Sequence, residues 1–310
     1  YPGVHVGNVT INKVGTAAAP IVIKNAGPGE AIVRGVDSLN SGKNIAVTGS
    51  KYLYIENLTV EGGLYGIYGG GTSPITGTKN LVVRNCRIID VGTGINTYAA
   101  GSENWYIADN VLIGRDPQWY PRDSVGYSTT GICVYGHGHV ICYNRIEKFW
   151  DSLTIASYGI PEADRSLKCV ANDVYGNDLS QARDDCLETD YGCHNIRVWG
   201  NRLRDAHVGI SCQPVYGGPV YIIRNELYGF TYTPYKLHNW PSGLYIFNNT
   251  SAIDGEGFTS DEIWQNAMLR NNLILGTQLY SMETGSPDPR TTLDYNGYRK
   301  TNDPIRFIKW

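Results

Sequence analysis

Methionine (2) and phenylalanine (5) are scarce in this chain of 310 residues. Nowhere do 18 apolar residues run together, so no helical segment can cross a membrane. Basic residues do not outnumber acidic ones (26 Lys and Arg against 29 Asp and Glu), which leaves no electrostatic footprint for nucleic acid. No cysteine spacing matches a zinc-ligand pattern. Long apolar stretches of helical period are also missing. The opening Tyr1-Pro2-Gly3 carries no signal-peptide pattern, which fits a mature secreted or periplasmic protein or a trimmed chain.

What is plentiful points the other way. Gly (37) and Tyr (23) abound, and Gly and Asn punctuate the chain every few residues. That composition predicts many short strands joined by turns. The tyrosines and seven tryptophans fit either platforms for sugar rings or the wet edge of a tall sheet. Seven cysteines fall mostly inside strand patterns, where a thiol acts as a small apolar group. Cys169 and Cys193 occupy equivalent positions one repeat apart, so a stacked disulfide is one expectation.

The repeat decides the fold. Short alternating strands, each followed by Asn and a further apolar residue, recur with Asn at 57, 85, 110, 144, 177, 201, 225, 249 and 272. The steps are 28, 25, 34, 33, 24, 24, 24 and 23 residues. A step near 23 suits one coil of a β-solenoid, and the long steps imply inserted loops, Gly114 to Ser128 and Tyr158 to Lys168. Inward asparagines at the turns tolerate left-handed backbone and hydrogen-bond their neighbours, building a ladder. The reading is an all-β chain, one right-handed parallel β-helix of about 10 coils, regular over roughly 1–275 with an irregular cap at 276–310.

A second strand family follows each Asn. In Cys186-Leu187-Glu188-Thr189-Asp190, alternation turns Leu187 and Thr189 inward and Glu188 and Asp190 outward. Neighbouring coils, roughly 4.8 Å away, place Ser211 and Gln213 beside the acids, then Lys236 and His238. On the other side come Thr154 and Ala156, then Cys133 and Tyr135. Tyr98 and Arg183 join Ser211, Gln213 and Tyr135 as candidate substrate-binding residues. Residues two apart on a strand are separated by roughly 6.7 Å, within the roughly 6.5–9.5 Å that inverting glycosidases hold between acid and base. Glu188 and Asp190 are therefore a candidate catalytic pair, with Asp185, Lys236 and His238 as further candidates. The same patch admits another chemistry. Asp151, Asp184, Asp185 and Glu188 offer oxygens for a Ca²⁺ that would acidify the C5 proton of a uronic acid, with Lys236 as base. Gly136-His137-Gly138-His139 is a weaker motif, because His139 aligns with inward strand positions.

On these residues the chain resembles the right-handed parallel β-helix superfamily of pectate-lyase-like enzymes, over roughly 1–275, in a large bacterial branch that shares the Asp184–Asn225 stretch and Lys236-Leu237-His238-Asn239. The Glu188-x-Asp190 pair is similar to the acid and base of iota-carrageenases, which are β-helical inverting hydrolases. The Asp151, Asp184-Asp185-x-x-Glu188 and Lys236 set resembles the calcium and lysine site of one pectate-lyase family, which has Asp where Glu188 stands. The resemblance implies carbohydrate chemistry by analogy of fold. Three functions follow as expectations. The first is a glycoside hydrolase needing no cofactor; the second is a Ca²⁺-dependent polysaccharide lyase; the third is a non-catalytic glycan-binding solenoid. The expected partner is a polysaccharide, with neither nucleic acid nor membrane.

Overall fold

A coil of this sequence cannot bury its apolar residues alone; each needs the coil above and below it. In the computed structural model the chain accordingly winds into three parallel sheets, in which every third strand pairs with the next. The structure describes all residues except 37–40, 72–74, 116–128, 157–166, 254–258, 261–262, 277–281, 285–287, 300–307 and 310. Among the described residues two sheets have 12 strands and one has 11, with no α-helix. The first sheet runs from Gly3–Val6 to Gly297–Tyr298, the second from Val9–Ile11 to Ile308–Lys309, the third from Ile21–Lys24 to Thr292–Asp294. Inside, aliphatic side chains stack in register along each sheet. Ile95, Ile132, Leu153, Leu187 and Ile210 form such a column in the second sheet, all fully buried.

The turn between the third and first sheets divides between two neighbouring residues the tasks that the sequence assigns to one. The first residue takes the left-handed conformation: Asn57, Asn85, Asp109, Tyr143, Arg224, Asn248, Asn271 and Tyr295, with glycine at 176 and 200. The next residue points inward and builds the ladder. Asn110, Asn144, Asn177, Asn201, Asn225, Asn249, Asn272 and Asn296 follow one another, each donating Nδ2 to the next Oδ1 at 2.9–3.0 Å. Asn57 and Asn85 are thus not ladder members, as the repeat suggested; Leu58 and Cys86 hold the inward position there. The ladder also outlasts the recognisable repeat. Asn296 extends it, and Thr292–Asp294 and Gly297–Tyr298 continue their sheets beyond residue 275. The two long insertions expected from the spacing fall mostly on 116–128 and 157–166, outside the described residues.

All seven cysteines are buried free thiols. The expected disulfide is therefore corrected: Cys169 and Cys193 do lie on neighbouring coils, joined by a backbone hydrogen bond from Cys193 N to Cys169 O (3.0 Å), but their sulfurs are not bonded. Backbone pairing and burial already hold these coils, and the thiols fill apolar space.

His139 is a structural group. Its Nδ1 accepts from the Trp105 backbone N–H (3.1 Å) and its Nε2 lies 2.9 Å from the Tyr135 carbonyl, which selects the neutral Nε2–H tautomer. Burial lowers its pKa from 6.5 to about 4. The unfolded chain therefore binds a proton between these values that the fold refuses, so His139 costs stability as pH falls. The loss relative to neutral pH is about 3 kcal/mol by pH 4. Buried carboxyls titrate in the same window, so the isolating measurement is the stability difference between wild type and His139→Asn, which keeps an acceptor like Asn172, the buried residue one coil on whose Oδ1 accepts from the His139 N–H. That difference is expected to move by this amount in favour of the variant between pH 7 and pH 4. A difference independent of pH would sink the assignment.

Candidate active site

The outer face of the second sheet carries the acids. Register pairs Thr154 with Glu188, Glu188 with Ser211, and Ser211 with Lys236, so these four form one column crossing four coils. A second column lies two residues further on: Tyr98, Tyr135, Ala156, Asp190, Gln213 and His238. At the leading edge Trp150, Asp184, His207 and Tyr232 follow one another in register. Although the columns face outward, Thr154, Glu188, Asp190 and Ser211 are each less than a tenth exposed. They are covered although they lie on the outer face of the sheet.

Alternation breaks at the start of the strand Asp185–Glu188. Both Cys186 and Leu187 enter the core, and Asp185 turns toward the acids, with its N–H donating to Asp151 Oδ1 at 3.3 Å. Asp151, Asp184 and Asp185 consequently bring carboxylate oxygens within 4.8 Å of one another. Glu188 is outside that group and accepts from Thr154 Oγ1 at 2.6 Å. Lys236 reaches back across two coils to Asp185 Oδ2 (2.7 Å). Asp190 sits just past the strand end, where its Oδ1 accepts from Ser211 Oγ and from the Gln213 backbone N–H, both at 2.8 Å.

Electrostatics at this site favour bringing in positive charge. Burial, and then the Glu188, Asp185 and Asp184 charges, push Asp151 well above the usual carboxylate range. Burial lifts Asp185 to about 8 against the pull of Lys236, and lifts Asp190 to about 7 against its hydrogen bonds. Burial alone would lower Lys236, but Asp185, Asp190 and Asp184 together carry it upward, so it is held as an ammonium. One lysine does not balance this many buried acids. Asp185 Oδ1 is buried with no hydrogen-bond partner among the described residues, a costly state for a carboxylate oxygen. Hard oxygens from three carboxylates, one of them orphaned, fit a divalent cation such as Ca²⁺. Asp151, Asp184 and Asp185 would hold it.

The remaining expected residues are spread more widely. Arg183 is exposed at the leading edge with its guanidinium 5.3 Å from the Trp150 ring centre. Tyr98 and Tyr135 meet edge to face at 5.4 Å, two to three coils before Asp190. His238 is half-buried at the far end of the second column. Sequence reasoning passed over Trp150, whose Nε1 donates to Asp184 Oδ2 at 3.3 Å, and the stacked pair His207 and Tyr232 (5.3 Å). Register sets Leu153 opposite Leu187, which puts Asp151 opposite Asp185 and Trp150 beside Asp184.

No family profile matches the chain, and no curated protein matches it. Solved structures do. A mannuronic acid specific polysaccharide family 6 lyase from human gut microbiota is 12% identical, with TM-score 0.58, covering 96% of this chain and 76% of its own. The Azotobacter vinelandii mannuronan C-5 epimerase A-module is 13% identical, with TM-score 0.53, covering 100% and 89%. The Streptococcus pneumoniae surface protein and adhesin PfbA is 11% identical, with TM-score 0.50, covering 100% and 81%. Likeness at such identity speaks to fold, and it agrees with the sheet topology: the chain is a parallel β-helix.

Proposed function

We propose that this protein is a cation-dependent polysaccharide lyase that cleaves a uronate polymer by β-elimination. The observation that carries the reading is the convergence of Asp151, Asp184 and Asp185, with orphaned Asp185 Oδ1 and Lys236 in the same cluster. The names of the fold relatives support it. A mannuronic acid specific lyase and a C-5 epimerase of mannuronan both act at uronate residues, and both chemistries break a C5–H bond. A polymer substrate would place the protein outside the cell or in the periplasm.

In this mechanism a uronate residue binds over the outer face at Thr154, Glu188 and Ser211. Asp151, Asp184 and Asp185 would hold a cation, which would supply the positive charge that neutralises the uronate carboxylate and acidifies C5–H. Of the influences on Lys236, burial is the one that lowers its pKa, the direction a base requires, and the aspartate charges oppose it. The Lys236 amine then takes the C5 proton, the C4–C5 double bond forms and the C4–O bond breaks. Asp190, kept neutral to about pH 7 by burial, is an acid available in the next column for the departing oxygen.

A second reading, an inverting hydrolase, is favoured by one observation: Asp190, whose pKa burial lifts to about 7, stands two residues from Glu188 on the same face. The two readings separate in one assay. The protein is incubated with neutral, sulfated and uronate polysaccharides, with and without chelator, following reducing ends and the ultraviolet absorbance of unsaturated uronates. New ends with absorbance, lost on chelation, are expected. New ends without absorbance, insensitive to chelator, would replace the lyase by the Glu188–Asp190 hydrolase.

Cation binding has a readout besides activity. Ca²⁺ at a hundredfold excess over its Kd is expected to stabilise the fold by about 2.7 kcal/mol, seen as a rise in Tm. Asp185→Asn should lose most of that rise, and an equal Tm shift in the variant would remove Asp185 from the site.

A further inference from the structure

Outside the acid cluster, the outward face carries a buried amide that the fold leaves without a full partner. Asn96 lies in the strand Thr93–Thr97, in the same outward column as Glu188 and three coils before it, through Cys133 and Thr154. At the coil spacing that is roughly 14 Å. Its neighbour Ile95 is in the core, so Asn96 faces out, yet it is fully buried. Among the described residues neither its Oδ1 nor its Nδ2 has a partner of full hydrogen-bonding geometry; the Tyr98 hydroxyl makes a looser contact with the amide. The ladder asparagines, by contrast, are all satisfied, so an unmet amide here is out of keeping with the rest of the molecule.

Its surroundings suit a sugar. Tyr68 is its register partner on the preceding coil. The Tyr98 hydroxyl lies near enough for Asn96 to ease its pKa downward against burial. Tyr98 is 42% exposed and meets Tyr135 edge to face, while Tyr65 meets Tyr68 in the same way at 5.3 Å. Lys43 is exposed, with its Nζ 3.7 Å from the centre of the Tyr68 ring. Four tyrosines, an unmet amide and a mobile cation offer ring faces, a donor, an acceptor and a positive charge. A hexuronate ring presents C–H faces, hydroxyls and a carboxylate.

We propose that Asn96, Tyr98, Tyr68 and Lys43 form a remote subsite that holds a further uronate residue of the polymer bound at the acid cluster. Exposed side chains change rotamer in picoseconds to nanoseconds, so Tyr98 swings aside and lays its ring on the sugar. Asn96 then pairs with the sugar hydroxyls, and Lys43 faces the carboxylate. The proposal rests on the reading of this protein as a uronate-cleaving enzyme.

The test compares wild type, Asn96→Leu and Lys43→Ala on long and short oligouronates prepared from each polymer the protein cleaves. Asn96→Leu is expected to lower the ratio of kcat/KM for long over short chains about tenfold, the loss of one or two hydrogen bonds. The same variant is expected to raise Tm, because it removes an unsatisfied buried amide. Lys43→Ala, a surface change with little risk to folding, should lower the same ratio and weaken its dependence on salt. Direct binding of long oligouronates to Lys236→Ala, with and without Asn96→Leu, should weaken to the same extent. If the protein cleaves none of these polymers but binds oligouronates through Asn96, the subsite stands and the lyase reading falls. An unchanged ratio in both variants, or no oligouronate binding at all, overturns the subsite.

Discussion

Lys236→Ala is expected to slow uronate cleavage by roughly 10²–10⁴-fold, the usual contribution of a positioned general base, while the protein still folds. Removing the ammonium leaves Asp185 without its 2.7 Å partner. Burial already drives that carboxyl toward protonation, so it can take a proton in place of the lost cation. The stability cost is thereby moderated, and unfolding monitored alongside activity checks it. Lys236→Arg supplies the sharper comparison. Arginine keeps the charge and can keep the ion pair, but it does not deprotonate in a protein. If the lysine serves as base, Lys236→Arg is as inactive as Lys236→Ala. If it serves only to balance Asp185, arginine restores much of the rate, and the base assignment is lost. Under the hydrolase reading the burden falls instead on Glu188 and Asp190, and their amide variants would be the inactive ones.

Asn201→Leu is expected to destabilise the fold by about 4 kcal/mol. Asn201 accepts from Asn177 N and Nδ2 through Oδ1, and donates Nδ2 to Val174 O and Asn225 Oδ1, all at 3.0 Å. Leucine matches the volume but meets none of these groups. Asn177 N and Val174 O lose these partners inside the coil, Asn177 Nδ2 and Asn225 Oδ1 each lose one of theirs, and a stranded group costs more than its bond contributes. The neighbouring turn position supplies the contrast. Arg224 holds a left-handed backbone at φ 54° and its side chain is exposed, so Arg224→Gly should be neutral or mildly stabilising. Denaturant unfolding, with hydrogen exchange of the Asn177 amide, checks both. A shift below about 1 kcal/mol for Asn201→Leu would mean that the ladder follows from the coil rather than supporting it.

The sequence carried the coil far better than the site. A repeated strand followed by Asn was enough to predict a parallel β-helix, because stacking forces each coil to resemble the next. The period alone put Glu188, Ser211 and Lys236 in one column, and register bore that out. It missed finer divisions of labour. Asn57 and Asn85 read as ladder residues because the left-handed position and the inward position are adjacent and both accept Asn. The ladder's last member, Asn296, escaped notice because its flanks, Leu293-Asp294-Tyr295 and Gly297-Tyr298, lack the usual aliphatic pattern.

Within the site, the identities of the acids were legible and their grouping was not. Asp151, Asp184, Asp185 and Glu188 read as one set of oxygens, yet the fold draws three of them together and turns Glu188 to Thr154. Strict alternation would have sent Asp185 inward; the structure departs from it because Cys186 and Leu187 both fill the core there. The sequence by itself determined the coil, its period and which residues share a face, since those depend on local backbone geometry repeated at a fixed interval. Only the tertiary structure decided which carboxylates meet, which oxygen is left without a partner and how Lys236 is held, since those depend on burial and on side chains reaching across coils, where no periodicity constrains them.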